Sequence, residues 1–369
     1  MARLKVSDSP ESRKPVDVRR MRGARETVMM RDGGYFPVLT ALSSREVIAV
    51  VRGGAGHIGI EGRLDLLRSM DGGETWLPPF TVAQSEWDDR NPALGQSRDG
   101  TLILAYHHQG SYDEGGRYAP GLGRVDTYVT RSRDFGYTWE PPRPLSLEPF
   151  RGRSPYGKIV TLPDGTLLMP VYGERTGVVA EEAKAPAGAA DFSYVLRSRD
   201  DGLTWEDPSL IAAGFNEAGL VRLGNGELLA ALRSEARHAS VSISRSADDG
   251  YTWTRPEKVT EASEHPGDLL SLGGDRVLLT YGRRHPPHGV RGLLSHDNGR
   301  TWGHDRELVY ADDRPGPDCG YPSSVLLTSG RVITAYYSAG DHMDAYRHDG
   351  AFAKAVLYGE EELLEAITP

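Results

Sequence analysis

One nine-residue pattern occurs five times in this chain, and a repeat of that length constrains the fold before any single residue does. Residues 131–139 read Arg-Ser-Arg-Asp-Phe-Gly-Tyr-Thr-Trp, and residues 68–76, 197–205, 245–253 and 294–302 keep the same Ser-x-Asp-x-Gly-x-Thr-Trp frame. Its grammar is that of a hairpin turn. Asp134 is placed to accept backbone N–H groups in the bend, and Gly136 supplies a positive φ. Ser132 and Thr138 can tie the two arms through their hydroxyls, and Trp139 brings a large ring to bury. A carboxylate repeated in every unit is a structural device, so these five aspartates are not read as catalytic.

A second repeat runs out of phase with the first. Six segments open on a distinctive residue, continue as an apolar run and end in a turn. They begin at Tyr35-Phe36-Pro37, Arg90-Asn91-Pro92, Ser154-Pro155-Tyr156, Asn216-Glu217-Ala218, His265-Pro266-Gly267 and Tyr321-Pro322-Ser323. Turns such as Asp99-Gly100, Asp164-Gly165 and Asn225-Gly226 follow, then a second apolar strand. Asp-Gly and Asn-Gly between apolar runs are strong hairpin signals. Each unit therefore reads strand, tight turn, strand, longer loop, strand, Ser-x-Asp turn, strand. Four antiparallel strands repeated six times predict an all-β fold, a six-bladed β-propeller. A β-sandwich would leave the two interleaved repeats without a reason. The sixth unit lacks the Ser-x-Asp turn; its third strand is expected over 352–358, and its fourth from the N-terminal side near residues 26–30. Residues 1–23 read as an N-terminal arm, 24–369 as the propeller, and 360–366 as a short helix.

The totals narrow the function. A formal net charge of −9 gives no electrostatic footprint for nucleic acid. No apolar run approaches a membrane span. Met1-Ala2-Arg3-Leu4-Lys5-Val6-Ser7-Asp8 lacks the apolar core of a signal peptide, which points to a cytoplasmic protein. The single cysteine, Cys319, rules out an internal disulfide and reads as a small buried residue.

Propeller geometry sorts residues by face. The 1–2 and 3–4 turns share one side, so strand 1 starts, strand 2 ends and 2–3 loops converge on an axial mouth, where a functional pocket belongs. Strand 1 starts supply Tyr35, Arg90, Tyr156, Glu217, His265 and Tyr321, with Asp88 and Asp89 just before Arg90. Strand 2 ends supply Arg52, His107, His108, Glu174, Arg233, Arg283 and Arg284, and the 2–3 loops supply His57 and Arg291. Arginines gathered on one face of an acidic protein suggest an anion site, since the guanidinium fork matches a carboxylate. Paired instead with Asp or Glu between blades, the same arginines would be structural. The histidines sit on different units without ligand spacing, so no metal and no cofactor is expected. The glycine-rich run 53–56 is not a phosphate loop, because no helix pattern follows it.

The Ser-x-Asp-x-Gly-x-Thr-Trp turns resemble the Asp-box, or BNR repeat, of the sialidase superfamily, and the resemblance covers nearly the whole chain. Asn216-Glu217 and Ala231-Leu232-Arg233 resemble the Glu and Arg that sialidases carry at the start of a strand 1 and the end of the following strand 2. Gly289-Val290-Arg291 stands where sialidases place a further Arg, and Gly320-Tyr321-Pro322 where they place their catalytic Tyr. Two positions depart from the pattern. Gly34-Tyr35-Phe36-Pro37 puts Tyr35 at the first arginine of the carboxylate-gripping triad, and His57 falls where the acid/base Asp is expected. Arg52 or Arg90 is the neighbouring candidate for the missing guanidinium.

The resemblance implies a sialidase-like glycoside hydrolase acting on a terminal acidic sugar, sialic acid or uronic-acid-like. Tyr321 would be the nucleophile, assisted by Glu217, with His57 as acid/base. Arg233, Arg291, Arg52, Arg90, Asp89 and Tyr35 would bind a carbohydrate carrying a carboxylate. Two other readings stand beside it. One is a uronate polysaccharide lyase using Tyr and His with an Arg on the carboxylate; the other is a propeller that binds carbohydrate without cleaving it.

Overall fold

A computed structural model describes residues 14–43, 45–145, 153–173, 191–341 and 344–367. Six sheets follow one another in chain order. Blade I comprises Tyr35–Ala41, Val47–Gly53, Arg63–Ser69 and Phe80–Ala83, paired antiparallel in sequence order. Blades II to V repeat the plan from Asp88, Ser154, Phe215 and Glu264. Blade VI takes Cys319–Leu326, Arg331–Ser338 and Phe352–Gly359 from the end of the chain and Arg25–Arg31 from its beginning. That last strand pairs antiparallel with Phe352–Gly359, Thr27 opposite Ala355, and so closes the ring. The expected helix covers Glu360–Ile367 and buries Leu363.

Three of the sheets count five strands. Val16–Asp17 adds a parallel fifth strand to blade V along Leu308–Arg314, and Val18 is buried in the neighbouring core, so this part of the arm is docked. In blade III the expected continuous strand 1 is broken. Gly157, at φ +72°, turns the chain aside, and Gly157–Lys158 pairs parallel with Asp88–Gln96 of blade II. The detour carries Lys158 to the axis, where Nζ donates to Asp268 and to the Ser324 carbonyl oxygen at 2.7 Å, tying blades III, V and VI.

The core lies between blades, which explains the unbroken apolar runs of second strands. Within Leu228–Ser234, Leu228, Ala230 and Leu232 pack toward blade III, while Leu229 and Ala231 pack toward blade V. Alternation across a strand thus feeds two interfaces instead of one core and one solvent face. The repeated turns work as read. Ser132 Oγ donates to Asp134 and accepts the Gly136 N–H; Asp134 accepts the Thr138 N–H at 2.9 Å and its hydroxyl at 2.6 Å. The Thr138 hydroxyl is the main cause that brings the Asp134 carboxyl down to about 2. Three of the arginines that open a turn reach the next one: Arg68 donates to the Phe135 carbonyl oxygen, Arg131 to that of Asp201, Arg197 to that of Asp249, whereas Arg245 lies 3.7 Å from Glu227. The last copy, before the blade without such a turn, has Leu294 instead. On this face Asp71 borders a cleft with Arg331 and Glu360, on the side of the 1–2 turns.

The turn tryptophans wedge between each blade and the one before it, but to unequal depth. Trp205 is 5% exposed, whereas Trp139 is only half-buried at the edge of the blade I–II core. Trp205→Ala is therefore expected to cost about 3–5 kcal/mol. Trp139→Ala should cost less, because part of its ring stays in water. Denaturant melts of the two variants check the order; equal losses would contradict it.

Candidate functional site at the axial mouth

Strand 1 opens on a bulge in five blades, with register shifts between Tyr35 and Val38, Arg90 and Ala93, Phe215 and Ala218, Glu264 and Gly267, and Gly320 and Ser323. In blades I, II and VI the bulged residue has a positive φ: Phe36 at 54°, Asn91 at 50° and Tyr321 at 46°. Each precedes a proline, which needs no ladder partner for its nitrogen. Left-handed backbone at a bulky residue costs about 1–3 kcal/mol and is retained where a side chain must be re-aimed. Here Phe36 and Tyr321 meet across blades I and VI, ring centroids 4.7 Å apart. Tyr35, Tyr156, Tyr337 and, partly, Tyr172 complete an aromatic cluster.

Tyr321, Glu217 and Arg233 form the centre. The Tyr321 hydroxyl donates to Glu217 Oε1 at 2.6 Å across 104 residues of chain. Arg233 Nη1 donates to Glu217 Oε2 at 2.7 Å and to the Tyr321 oxygen at 3.1 Å. Tyr321 is 6% and Glu217 4% exposed. Burial, then the Glu217 charge, raises the Tyr321 phenol above its ordinary range, so it rests protonated. The site holds a neutral phenol whose proton already points at a carboxylate.

Of the arginines expected at the mouth, the structure divides the set. Arg90 stays there: its guanidinium carbon lies 5.7 Å from the Phe36 ring centre, and one nitrogen is 3.4 Å from Asp88. Arg52 does not. It is fully buried, donates twice to Asp88 at 2.8–2.9 Å and caps the carbonyl oxygens of Ala55, Gly56 and Gly59. Arg291 does not either; it is 4% exposed, donates to the Ala311 carbonyl oxygen and pairs with Glu307 at 3.3 Å. Strand 3 lies one strand further from the axis than strand 2, and its alternating side chains face neighbouring strands and blades.

Arg284 is the arginine that sequence reasoning placed at a strand end but did not select. Its guanidinium carbon lies 5.4 Å from the Tyr321 ring centre, and Nε and Nη2 are buried with no hydrogen-bond partner among the described residues. Arg233 Nε and His265 Nδ1 are in the same condition. Neighbouring Arg283 instead turns outward to the Pro286 carbonyl oxygen and Glu307. The contrast predicts two different failures. Arg284→Met should raise the KM for an acidic substrate at least about tenfold while leaving the fold intact. Arg52→Met takes from the buried Asp88 its shortest ion pair, leaving the Tyr112 hydroxyl at 2.7 Å and Arg90 at 3.4 Å, and should lower stability by about 3 kcal/mol. Thermal melts beside steady-state kinetics separate them; unaltered stability in Arg52→Met would return that residue to the mouth.

Asp89 is likewise structural. Its carboxylate accepts the Ser85 N–H at 2.8 Å and the Ser85 hydroxyl, with His108 at 3.5 Å, and burial lifts it to about 6. Tyr35, in the position of the missing arginine, is fully buried and donates to the Arg347 carbonyl oxygen at 3.2 Å, so it contributes packing to the wall. Glu174 lies outside the described residues. Cys319 is buried, its thiol pushed up to about 11 by burial.

His57 stands on the loop after Val47–Gly53, edge-on to Phe36 at 5.1 Å. Its Nδ1 lies 2.9 Å and 3.0 Å from the two oxygens of Asp318, a residue sequence reasoning passed over. Asp318 also accepts the Tyr337 hydroxyl at 2.6 Å. Burial works against its charge, but the His57 contact and Tyr337 hold the carboxyl down to about 2. Burial is the main cause lowering the His57 imidazole below its usual value; Asp318 opposes it, and the Arg90 and Arg284 charges add to it.

Comparison with known proteins agrees with this architecture. Residues 48–334 match the BNR repeat-like domain family. A Dyadobacter fermentans protein of unknown function superposes with a TM-score of 0.72 at 25% identity, over 91% of this chain and 99% of its own. The Hadza microbial sialidase Hz136 gives 0.66 at 17% identity, over 89% of this chain and 66% of its own. The intramolecular trans-sialidase of Ruminococcus gnavus, solved with oseltamivir carboxylate, gives 0.66 at 14%, over 94% and 99%. A search of curated protein sequences finds no match. With the repeat and the six closed blades, the chain belongs to the BNR repeat-like domain family and folds as a six-bladed propeller.

Proposed function

We propose that the protein is a sialidase-like exo-glycoside hydrolase acting on a terminal sugar that bears a carboxylate, a sialic acid or a uronic-acid-like residue. The observation that carries the reading is the hydrogen-bonded set Tyr321–Glu217–Arg233. A phenol attacks an anomeric carbon only if its proton leaves during attack, and Glu217 is already its acceptor. Arg233 steadies both. As the glycosidic bond breaks, the imidazolium form of His57 gives its Nε2 proton to the departing oxygen while Glu217 takes the phenol proton, and a glycosyl-tyrosine forms. Water, deprotonated by His57, then attacks the anomeric carbon, the tyrosine–sugar bond breaks, and Glu217 returns to the Tyr321 oxygen the proton it took during attack. Arg284, Arg90 and the second side of Arg233 receive the substrate carboxylate. Buried N–H groups without partners are costly, and an anion would satisfy them.

One observation favours a second reading. Burial leaves His57 neutral near pH 7, the form of a base rather than an acid. In a lyase acting on a uronate, His57 takes the C5 proton, an arginine stabilises the resulting charge, and Tyr321 protonates the leaving oxygen. The C4–O bond breaks as C4=C5 forms. Product analysis on a panel of acidic aryl glycosides and glycans separates the readings. The hydrolase releases a free acidic sugar with retained anomeric configuration. An unsaturated product absorbing in the ultraviolet would establish the lyase, and binding without product a lectin.

A further inference from the structure

We propose that Asp318 is a positioning residue: it fixes His57 in the tautomer protonated at Nδ1 and so presents Nε2 as the nitrogen that exchanges protons with substrate. Only the kinetic readout rests on the hydrolase reading; the tautomer itself can be observed without turnover.

Both carboxylate oxygens lie within 3.0 Å of Nδ1, so that nitrogen must carry a proton to avoid setting a lone pair against a charge. The ring is gripped as well as bonded. Phe36 meets it edge-on at 5.1 Å, and Tyr35 at 6.1 Å, interplanar angle 71°. Asp318 is itself fixed by the Tyr337 hydroxyl at 2.6 Å. Its place in the chain adds a coupling. Asp318-Cys319-Gly320-Tyr321 runs directly into the bulge that aims Tyr321, so one short segment sets both the phenol and the imidazole. A carboxylate–imidazole pair thereby replaces a lone carboxylic acid, with the orienting group on blade VI and the proton carrier on blade I.

The charged and titratable groups facing the pair are Arg90 and Arg284 on the histidine side, and Arg284 and the phenols of Tyr337 and Tyr35 on the aspartate side. Two cations disfavour imidazolium and one carboxylate favours it. Removing the carboxylate should therefore lower the His57 pKa further, not raise it.

The test is nitrogen NMR of the full chain labelled in histidine, with His57→Gln used to identify the resonance. In the unmodified protein near neutral pH, His57 should show a protonated Nδ1 and an unprotonated Nε2. In Asp318→Asn the tautomer should mix or invert, and the titration should move down by about one pH unit or more. Tyr337→Phe should leave the tautomer unchanged. On an acidic aryl glycoside, Asp318→Asn should reduce kcat at least about tenfold with KM nearly constant, and the acid limb should follow the His57 titration. Asp318→Glu should recover part of the loss. A protonated Nε2 in the unmodified protein, or an unchanged titration in Asp318→Asn, overturns the proposal. The expected tautomer in a protein that releases no sugar would leave the dyad standing and remove the hydrolase reading instead.

Discussion

Tyr321→Phe is expected to reduce turnover at least ten-thousand-fold, to the order of loss seen when a nucleophile is removed from a site that acts as a unit. The substitution deletes one oxygen. Phe keeps the ring against Phe36, Tyr156 and Tyr337, whose centroids lie 4.7, 5.7 and 5.8 Å away, so the aromatic cluster survives. Arg233 keeps its bond to Glu217 and remains able to hold the substrate carboxylate. Binding should then change by less than about tenfold while chemistry stops. This split between kcat and affinity, measured by kinetics alongside calorimetry with a non-hydrolysable acidic sugar, distinguishes a nucleophile from a mere wall residue. Retained turnover on the true substrate would exclude the mechanism.

Glu217→Gln should cost about 100- to 10,000-fold in turnover, the range for loss of a positioned general base. The amide keeps the shape of the side chain but cannot take the phenol proton. It also leaves Arg233 without its anionic partner at 2.7 Å. Two consequences follow in opposite directions. Catalysis falls, because the attacking oxygen keeps its proton. Affinity for an acidic ligand rises or holds, because the arginine charge is no longer shared. A variant that loses activity and acidic-ligand affinity together would place Glu217 in a structural role.

Much of this architecture was legible because repetition carries it. Five Ser-x-Asp turns and six strand 1 openings set the blade count, the closing strand and the mouth, and thereby brought Tyr321, Glu217, Arg233 and Arg90 to one face. What was not legible is which arginines at the mouth are already paired. Arg52 and Arg284 both stand at strand 2 ends, but Asp88, two residues before Arg90, captures Arg52 across a blade boundary. Periodicity cannot see that contact. Arg291 matched by position in a motif, yet the neighbouring strand offers Glu307 and the Ala311 carbonyl oxygen. Arg283 and Arg284 differ only by alternation, and the direction of each is set by the register that ends the strand. Asp318 had a usable signal: a histidine proposed for proton transfer calls for an orienting acceptor, and the run leading into Tyr321 contained one. Trp139 was read as a ring to bury, and its frame does not report how deeply each copy sits. Trp205 is buried, whereas Trp76, Trp139, Trp253 and Trp302 are each partly exposed.

The account stands most directly on whether Tyr321 becomes covalently bonded to sugar. The measurement is peptide mass spectrometry after brief incubation with a fluorinated acidic glycosyl fluoride, whose electron-poor ring slows release of the intermediate. The predicted result is one glycosyl mass on the peptide that contains Tyr321, absent from Tyr321→Phe. A turning-over enzyme that yields no adduct there, or one on another residue, would contradict the account.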